Sequence, residues 1–181
     1  MGQRLALNVK RNDEVLFVLY QHWGGYTDNE VEVVCRLLAT YNEDDDLVTL
    51  LRKTTEALPE SGLILPQDPL ELETIKPYLD AGIPISQNRC AGFIALTPKE
   101  MDNIWEWQDD ELDLCLDGEI WIADVYYIVA EPDDPDSVEP AQDFLFEPIT
   151  KENAMDLLDL YEKNYSDCYL DNGIYYCAIT G

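Results

Sequence analysis

The sequence has 181 residues and a formal net charge of −27 at pH 7, because 38 Asp and Glu face only 11 Lys and Arg. Apolar residues make up 46% of the chain, which is enough to bury a core and excludes global disorder. A negative charge of this size repels phosphates, so direct binding to nucleic acid or to an anionic membrane is excluded as the main activity.

The negative charge is concentrated in the second half of the chain. Residues 1–90 hold 15 acids and 8 bases, whereas residues 91–181 hold 23 acids and 3 bases. The 51 residues from Glu100 to Thr150 contain 17 acids and no Lys or Arg. This asymmetry indicates an acidic working surface. A strongly acidic composition is also typical of proteins from salt-adapted organisms, and that interpretation stays open.

The spacing of the cysteines and the hydropathy of the chain indicate the cellular compartment. The five cysteines form no CxxC pair and have no group of histidines near them, so no zinc site is predicted. The N-terminal MGQRLALNVKRNDE lacks the apolar region of a signal peptide. No apolar run approaches the roughly 18 residues of a membrane span. We therefore expect a cytoplasmic protein with reduced thiols and no membrane partner.

The first elements are predicted to be a β-hairpin and two helices. Arg4 to Lys10 alternates and Val15 to Tyr20 is apolar, with four polar residues between them. Thr27-Asp28-Asn29-Glu30 has the form of a capping box and predicts the start of a helix. Asp44 to Asp46 predicts the start of the second, since acids at a helix N-terminus favour its dipole.

The middle of the chain predicts a helix, a strand and a further helix. Leu70 to Leu79 has the pattern of a short helix that Gly82 ends, and Cys90 to Leu96 that of a buried strand. Thr97-Pro98 places a favoured N-cap residue before a proline at the first helical position, which predicts a helix start.

An acidic hairpin is predicted to follow that helix. Leucines and acids alternate over residues 111–117 (ELDLCLD), which is typical of a strand with one apolar and one anionic face. Asp117-Gly118 then predicts a turn, and Glu119 to Ala130 predicts the returning strand.

The rest of the chain is predicted to be an extension. Glu131 to Asp143 has three prolines and six acids and is interpreted as a linker or long loop. Thr150 is predicted to open a last helix, and Asn172-Gly173 to turn a hairpin over Cys168 to Cys177. The predicted fold class is α+β, with helices packed on an antiparallel sheet. The predicted units are 1–130, a linker at 131–143, and an extension at 144–181 that is free to pack on the same core.

Catalytic motifs are sparse, and the sequence predicts no enzyme, no metal and no cofactor. The one histidine, His22, could form a dyad with a cysteine, but beside Trp23 and two glycines it has the context of a packed turn residue. Gly24-Gly25 lies in no phosphate-binding motif. Asp clusters such as Asp44 to Asp46 lack the spacing of a Ca²⁺ loop.

The acidic stretch has a spacing related to that of DNA phosphates. Same-face residues of a strand repeat every 6.6–6.8 Å or so, and each DNA strand carries one charge per roughly 3.4 Å. We therefore interpret the hairpin as a decoy for a basic nucleic-acid channel, although a merely solvated sheet face remains the alternative. The predicted acidic face comprises Asp109, Asp110, Glu111, Asp113, Asp117, Glu119, Asp133, Asp134 and Asp136, with Trp23, Tyr26 and Trp107 as aromatic contacts.

The order of several motifs resembles a known family. The opening MGxRL is followed by Tyr20 to Thr27 (YxHWxGYT), Asn88 to Thr97 (NRxxGxIALT) and the Trp105 to Leu116 block. Over residues 1–130 this resembles a family of small proteins carried by bacteriophages and related mobile elements. The resemblance implies a phage-borne protein of the bacterial cytoplasm and brings no catalytic residues.

A compact, very acidic phage protein fits the profile of an inhibitor of host defence. The functional hypothesis is therefore an anti-CRISPR or anti-restriction protein. It would bind a basic nucleic-acid-binding protein, such as a guide-RNA-loaded Cas9-type nuclease, and block DNA binding or cleavage. A phage adaptor that does not mimic nucleic acid and a hydrolase using a Cys or an acid cluster are the alternatives.

Overall fold

The computed structural model describes residues 4–22, 24, 27–87, 92–116, 127–131, 134–140, 149–156, 158–159, 168–171 and 174–177. The elements up to residue 116 are β1 Leu5–Arg11, β2 Glu14–Gln21, α1 Thr27–Thr40, α2 Leu47–Ala57, β3 Gly62–Leu63, α3 Pro69–Asp80, β4 Phe93–Ala95, α4 Pro98–Trp107 and β5 Asp110–Cys115. The later strands are β6 Tyr127–Glu131, β7 Asp134–Pro140, β8 Cys168–Asp171 and β9 Ile174–Cys177. Helices and strands in this order confirm the predicted α+β class.

A five-stranded sheet in the order β3-β4-β2-β1-β5 organises the first part of the chain. The predicted N-terminal hairpin is confirmed, since β1 and β2 pair antiparallel through Asn12 and Asp13, both at positive φ. However, the sheet is mixed rather than antiparallel: β5 pairs parallel to β1, and β3 parallel to β4. The reason is the connection between β4 and β5. After β4 the chain returns through α4 to the end of the sheet at which β1 begins, so β5 runs in the same direction as β1.

Each face of this sheet is covered by its own apolar cluster. The larger cluster joins Leu7 and Val9 of β1 and Leu114 of β5 to buried residues of α1 and α2. The smaller one joins Ala6, Val18 and Tyr20 to Met101 and Ile104 of α4. Alternate residues of β1 therefore point to opposite cores.

The local helix predictions are confirmed. Asp46 caps α2, with its side chain accepting a hydrogen bond from the Thr49 amide at 2.7 Å. Thr97 caps α4, and its hydroxyl accepts from the Glu100 amide at 3.4 Å. The neighbouring Asp45 binds Lys53 Nζ at 2.5 Å and the Asn42 amide at 2.7 Å, so this part of the acid triplet stabilises the helix start.

The first strand of the predicted acidic hairpin is confirmed as β5, and one of its edges has a partner that the sequence analysis did not predict. β5 lies against β1, whereas β6 pairs with β7 and β9 in a four-stranded sheet of order β7-β6-β9-β8. Leu112 and Leu114 match Leu7 and Val9 of the larger cluster across the β1–β5 pair, which explains the choice of β1 as a partner. Residues 117–126, including the predicted turn, lie outside the described part of the chain.

The predicted linker at 131–143 is also corrected, because residues 134–140 form β7, paired antiparallel with β6. Two prolines are tolerated there since β7 stands at the end of the described strand order, where a missing backbone donor is harmless. The boundary predicted at residue 130 falls inside β6, while the division into units stays a prediction. The C-terminal hairpin is confirmed by the antiparallel pairing of β8 and β9.

The segment after residue 148 contacts the first core. Ile149, Ala154 and Leu158 belong to the larger apolar cluster, and residues 154–156 and 158–159 are helical. Lys151 Nζ donates to the Tyr41 carbonyl oxygen at 2.6 Å.

Candidate functional site

The name α4–β5 face is used here for the exposed side chains of helix α4 together with those of strand β5 that project on the side of the sheet carrying the smaller apolar cluster. Met101 and Ile104 anchor α4 to the sheet, and the backbone amide of Asp109 then donates to the Arg4 carbonyl at 2.9 Å. This bond sets the parallel register in which Ala6 faces Glu111 and Asn8 faces Asp113. Glu111 and Asp113 therefore emerge on the same side as α4.

A buried asparagine holds the two elements together. Asn8 is 2% exposed, and its Nδ2 donates to Glu111 Oε1 at 2.7 Å and to Asp113 Oδ1 at 2.9 Å. Its Oδ1 accepts from the indole Nε1 of Trp105 at 2.9 Å. The side-chain amide thus satisfies both its protons and its oxygen while it links α4 to β5.

Two ion pairs neutralise part of the acidic strand. Arg4 donates to both oxygens of Asp109, from Nε at 2.9 Å and from Nη2 at 3.1 Å. Lys10 Nζ lies 2.9 Å from Asp113 Oδ2. The Arg4 hydrogen bonds lower the pKa of Asp109. Burial opposes ionisation of Asp113, but the bonds from Lys10 and Asn8 outweigh it and lower its pKa. Both carboxylates are therefore held ionised and are paired internally.

Three exposed carboxylates of the face have no cation bonded to them within the described residues. Asp102 and Glu106 are exposed and lie one helical turn apart on α4. Glu111 is exposed and receives hydrogen bonds from neutral donors, Asn8 and the Gln108 amide at 3.1 Å. Trp107, 46% exposed, ends the helix beside them. These three exposed side chains therefore contribute uncompensated negative charge to the face.

The predicted site residues are only partly brought together. Asp109, Glu111 and Asp113 share the β1–β5 edge with Trp107 close by in sequence, and Asp110 begins β5. Asp134 and Asp136 belong to β7 of the other sheet, and the structure does not describe their side chains. The remaining predictions fall outside the described residues: Asp117, Glu119, Asp133, Trp23 and Tyr26.

Sequence reasoning missed Arg4, Asn8 and Lys10, which organise the acidic strand. The signal was present, because alternate positions 4, 8 and 10 of the first strand are polar or basic around a single alanine. A strand face of that kind needs an acidic neighbour. Asp102 and Glu106 carry no comparable signal, because acids on the outer side of an amphipathic helix are typical of any solvated surface.

The His22 neighbourhood has the packing expected of a turn. His22 Nδ1 lies 3.0 Å from the Tyr20 hydroxyl. Asn29 Nδ2 donates to Gln21 Oε1 at 2.7 Å and to the Gly24 carbonyl at 3.0 Å. A Cβ on Gly24 would stand 2.5 Å from the Gln21 Cβ, so close approach requires glycine at position 24.

Within the described ranges, no group of three or more His, Cys, Asp or Glu side chains is arranged to hold a metal ion. None of the helices in that part of the chain has both the length and the apolarity needed to cross a membrane.

Comparison of the chain with protein-family models, with curated proteins and with solved structures finds no match. The resemblance to a phage-borne family therefore stays a prediction.

Proposed function

We propose that this protein is a non-catalytic inhibitor, encoded by a phage and acting in the bacterial cytoplasm, that binds a basic nucleic-acid-binding surface through its α4–β5 face. The proposed partner is a guide-RNA-loaded CRISPR effector nuclease of the Cas9 type. The observation that carries the proposal is the group of uncompensated carboxylates, Asp102, Glu106 and Glu111, beside the exposed Trp107.

The rigidity of the face supports this proposal. Asn8 fixes Glu111 and Asp113 and also holds Trp105 of α4. Because these anions are ordered before any partner arrives, little side-chain entropy remains to be lost on binding. Arginines of a nucleic-acid channel could pair with the carboxylates and stack on the indole of Trp107.

Because acids at β5 are paired with cations of the same protein, the proposed mimicry of phosphates depends on helix α4 rather than on strand β5. Asp109 and Asp113 each carry a cation, so the strand does not present an unbroken series of free charges. Asp102 and Glu106 lie about 6 Å apart along the helix axis. Two phosphate steps along one DNA strand span a similar distance, about 6.8 Å.

The test is a DNA-cleavage assay with a guide-loaded Cas9-type nuclease, titrated with the protein at low and moderate salt. The test variant combines Asp102→Asn with Glu106→Gln, which removes two charges and keeps side-chain shape. We expect about tenfold weaker inhibition, since two exposed charge contacts are lost. Inhibition by the native protein should also weaken as salt screens the attraction.

The matched control combines Glu56→Gln with Glu60→Gln. These residues are also exposed and four positions apart, but Glu56 lies in the last turn of α2 and Glu60 in the turn that follows the helix. We expect this control to inhibit like the native protein. Equal inhibition by both variants at both salt concentrations would contradict binding through α4. Inhibition that survives high salt would instead favour an adaptor that binds through aromatic contacts.

Absence of any inhibition would overturn the Cas9-type assignment. A pull-down from host lysate would then compare native protein with the Asp102→Asn/Glu106→Gln variant as bait. If the native protein retains a basic partner that the variant does not, binding through the α4–β5 face is supported and the target is a different protein.

A further inference from the structure

The register of the C-terminal hairpin places two cysteines opposite each other. β8 and β9 pair antiparallel, with Asp171 facing Ile174 next to the two-residue connection and Cys168 facing Cys177 at the far end. Four consecutive pairs fix this register, and Asn172-Gly173 is the connection that favours such a tight hairpin.

The backbone separation of such a pair suits a disulfide. Directly opposed residues of antiparallel strands have Cα atoms about 4.5 or 5.5 Å apart, depending on whether the pair is hydrogen-bonded. Disulfides join residues whose Cα atoms are roughly 4.4–6.8 Å apart. Either class of opposed pair therefore lies within the range that a disulfide can bridge without moving the strands.

We propose that Cys168 and Cys177 form a reversible dithiol–disulfide pair, which a low-molecular-weight disulfide such as oxidised glutathione converts into a cross-strand bond. This inference is independent of the α4–β5 face and of any partner.

The reaction proceeds by two thiol–disulfide exchanges. The thiolate of one cysteine attacks a sulfur of oxidised glutathione, forming a mixed disulfide and releasing one glutathione thiolate. The second cysteine, having lost its proton, attacks the protein sulfur of that mixed disulfide and releases the second glutathione. Overall the protein loses two protons and two electrons, and one oxidised glutathione takes them up to become two reduced molecules.

The pair has no equivalent among the cysteines with described side chains. Cys35 is fully buried in α1, where burial raises its pKa to about 11 and leaves little reactive thiolate at neutral pH. Cys115 lies at the end of β5, opposite Lys10 rather than a second cysteine.

Formation of the Cys168–Cys177 disulfide would also stabilise the pairing of the hairpin with the rest of its sheet. β9 also pairs in parallel with β6, through Tyr127 with Tyr175 and Ile128 with Tyr176. A bond across the open end of β8–β9 therefore prevents the register slip that would carry every β9 side chain to the opposite face.

The chain allows a direct test by mass spectrometry. No Lys or Arg follows Lys163, so trypsin releases Cys168 and Cys177 in one peptide, residues 164–181. Cys35, Cys90 and Cys115 fall in three other peptides. The full-length protein is incubated with oxidised glutathione, treated with an alkylating reagent under denaturing conditions and digested without reduction.

We expect the 164–181 peptide to lose two hydrogens and to take up no alkylating group, and to be doubly alkylated after reduction. The Cys115→Ser variant should behave in the same way. In Cys168→Ser, Cys177 should instead accumulate as a glutathione mixed disulfide, because no resolving thiol faces it.

Two results would overturn the proposal. One is a 164–181 peptide of the native protein that stays doubly alkylated or carries two glutathiones. The other is a bond that joins either cysteine to Cys90 or Cys115 in preference to its opposed partner.

Discussion

Asn8 is the residue on which the geometry of the α4–β5 face depends most. It is almost fully buried, yet it lies between two carboxylates and an indole and makes a hydrogen bond to each. An amide suits this position because it offers two donors and an acceptor without charge. An apolar residue there would leave the Trp105 Nε1 without its acceptor and both acids without their shared donor.

We expect Asn8→Asp to lower the free energy of unfolding by about 3 kcal/mol or more, because it buries a third anion beside Glu111 and Asp113. Urea unfolding measures the change. The control Asn103→Asp makes the same replacement at a half-buried position of α4 and should change stability by only about 0.5 kcal/mol. Equal losses in the two variants would mean that added charge, rather than the Asn8 contacts, is responsible.

At the scale of elements, the helices and the two tight hairpins were predictable, and the pairing of strands distant in sequence was not. Thr97 and Asp46 act within three residues of themselves, so their capping role can be read locally. The choice of β1 as the partner of β5 depends instead on two cores and on the basic residues of a strand about a hundred positions earlier. β7 was not predicted for a related reason. Its prolines and acids are typical of a loop, and only the pairing with β6 shows that they form a strand.

In the candidate site, too, the local pattern could be predicted and the contacts between distant residues could not. The alternation of β5 correctly placed Glu111 and Asp113 on one face, because strand periodicity is a local property. Their neutralisation by Asn8 and Lys10 could not be read from that alternation, because it requires the register between two distant strands.

The pairing of β1 with β5 is held at its start by Arg4 and Asp109, and this link should depend on pH. The pKa of Asp109 is lower in the folded protein than in the unfolded chain. Protons therefore bind more readily to the unfolded state. The stabilisation is present above the ordinary Asp pKa of about 4 and is lost as pH falls below it through the lower pKa of the folded protein.

We expect Arg4→Gln to lower Tm by about 1–2 °C at pH 7 and at pH 5, because the pair is partly exposed and weakened by water. The difference from native protein should be smaller at pH 3 than at pH 5. Thermal unfolding at these three pH values measures it. Lys99→Gln removes a positive charge from an exposed position of α4 and should show no such pH-dependent difference. A difference in Tm between Arg4→Gln and native protein that grows on acidification would contradict stabilisation by the Arg4–Asp109 ion pair.

For the whole molecule, repulsion between carboxylates outweighs attraction between ion pairs. With 38 acids and 11 bases, most acids have no base to pair with. The compact state concentrates this charge, so self-repulsion opposes folding and screening by salt should relieve it.

We therefore expect Tm at pH 7 to rise as NaCl increases from about 10 mM, where charges interact over about 30 Å, to about 1 M, where the screening length is about 3 Å. Calorimetry measures the shift, and KCl at the same ionic strength should give the same result if screening is the cause. A falling Tm would show that the ion pairs, such as Lys10 with Asp113, matter more than the repulsion.

The long separation between β1 and β5 has a consequence for synthesis on the ribosome. Asn8 and Asp113 are 105 residues apart, so β1 waits about 5–20 s for its second neighbour at ordinary rates of translation. During that interval the edge of the β1–β2 hairpin has no strand beside it and is open to pairing with other nascent chains. The strand that closes this edge is also the acidic one, and its arrival completes the sheet and brings carboxylates to the side chains of Arg4, Asn8 and Lys10 in a single step.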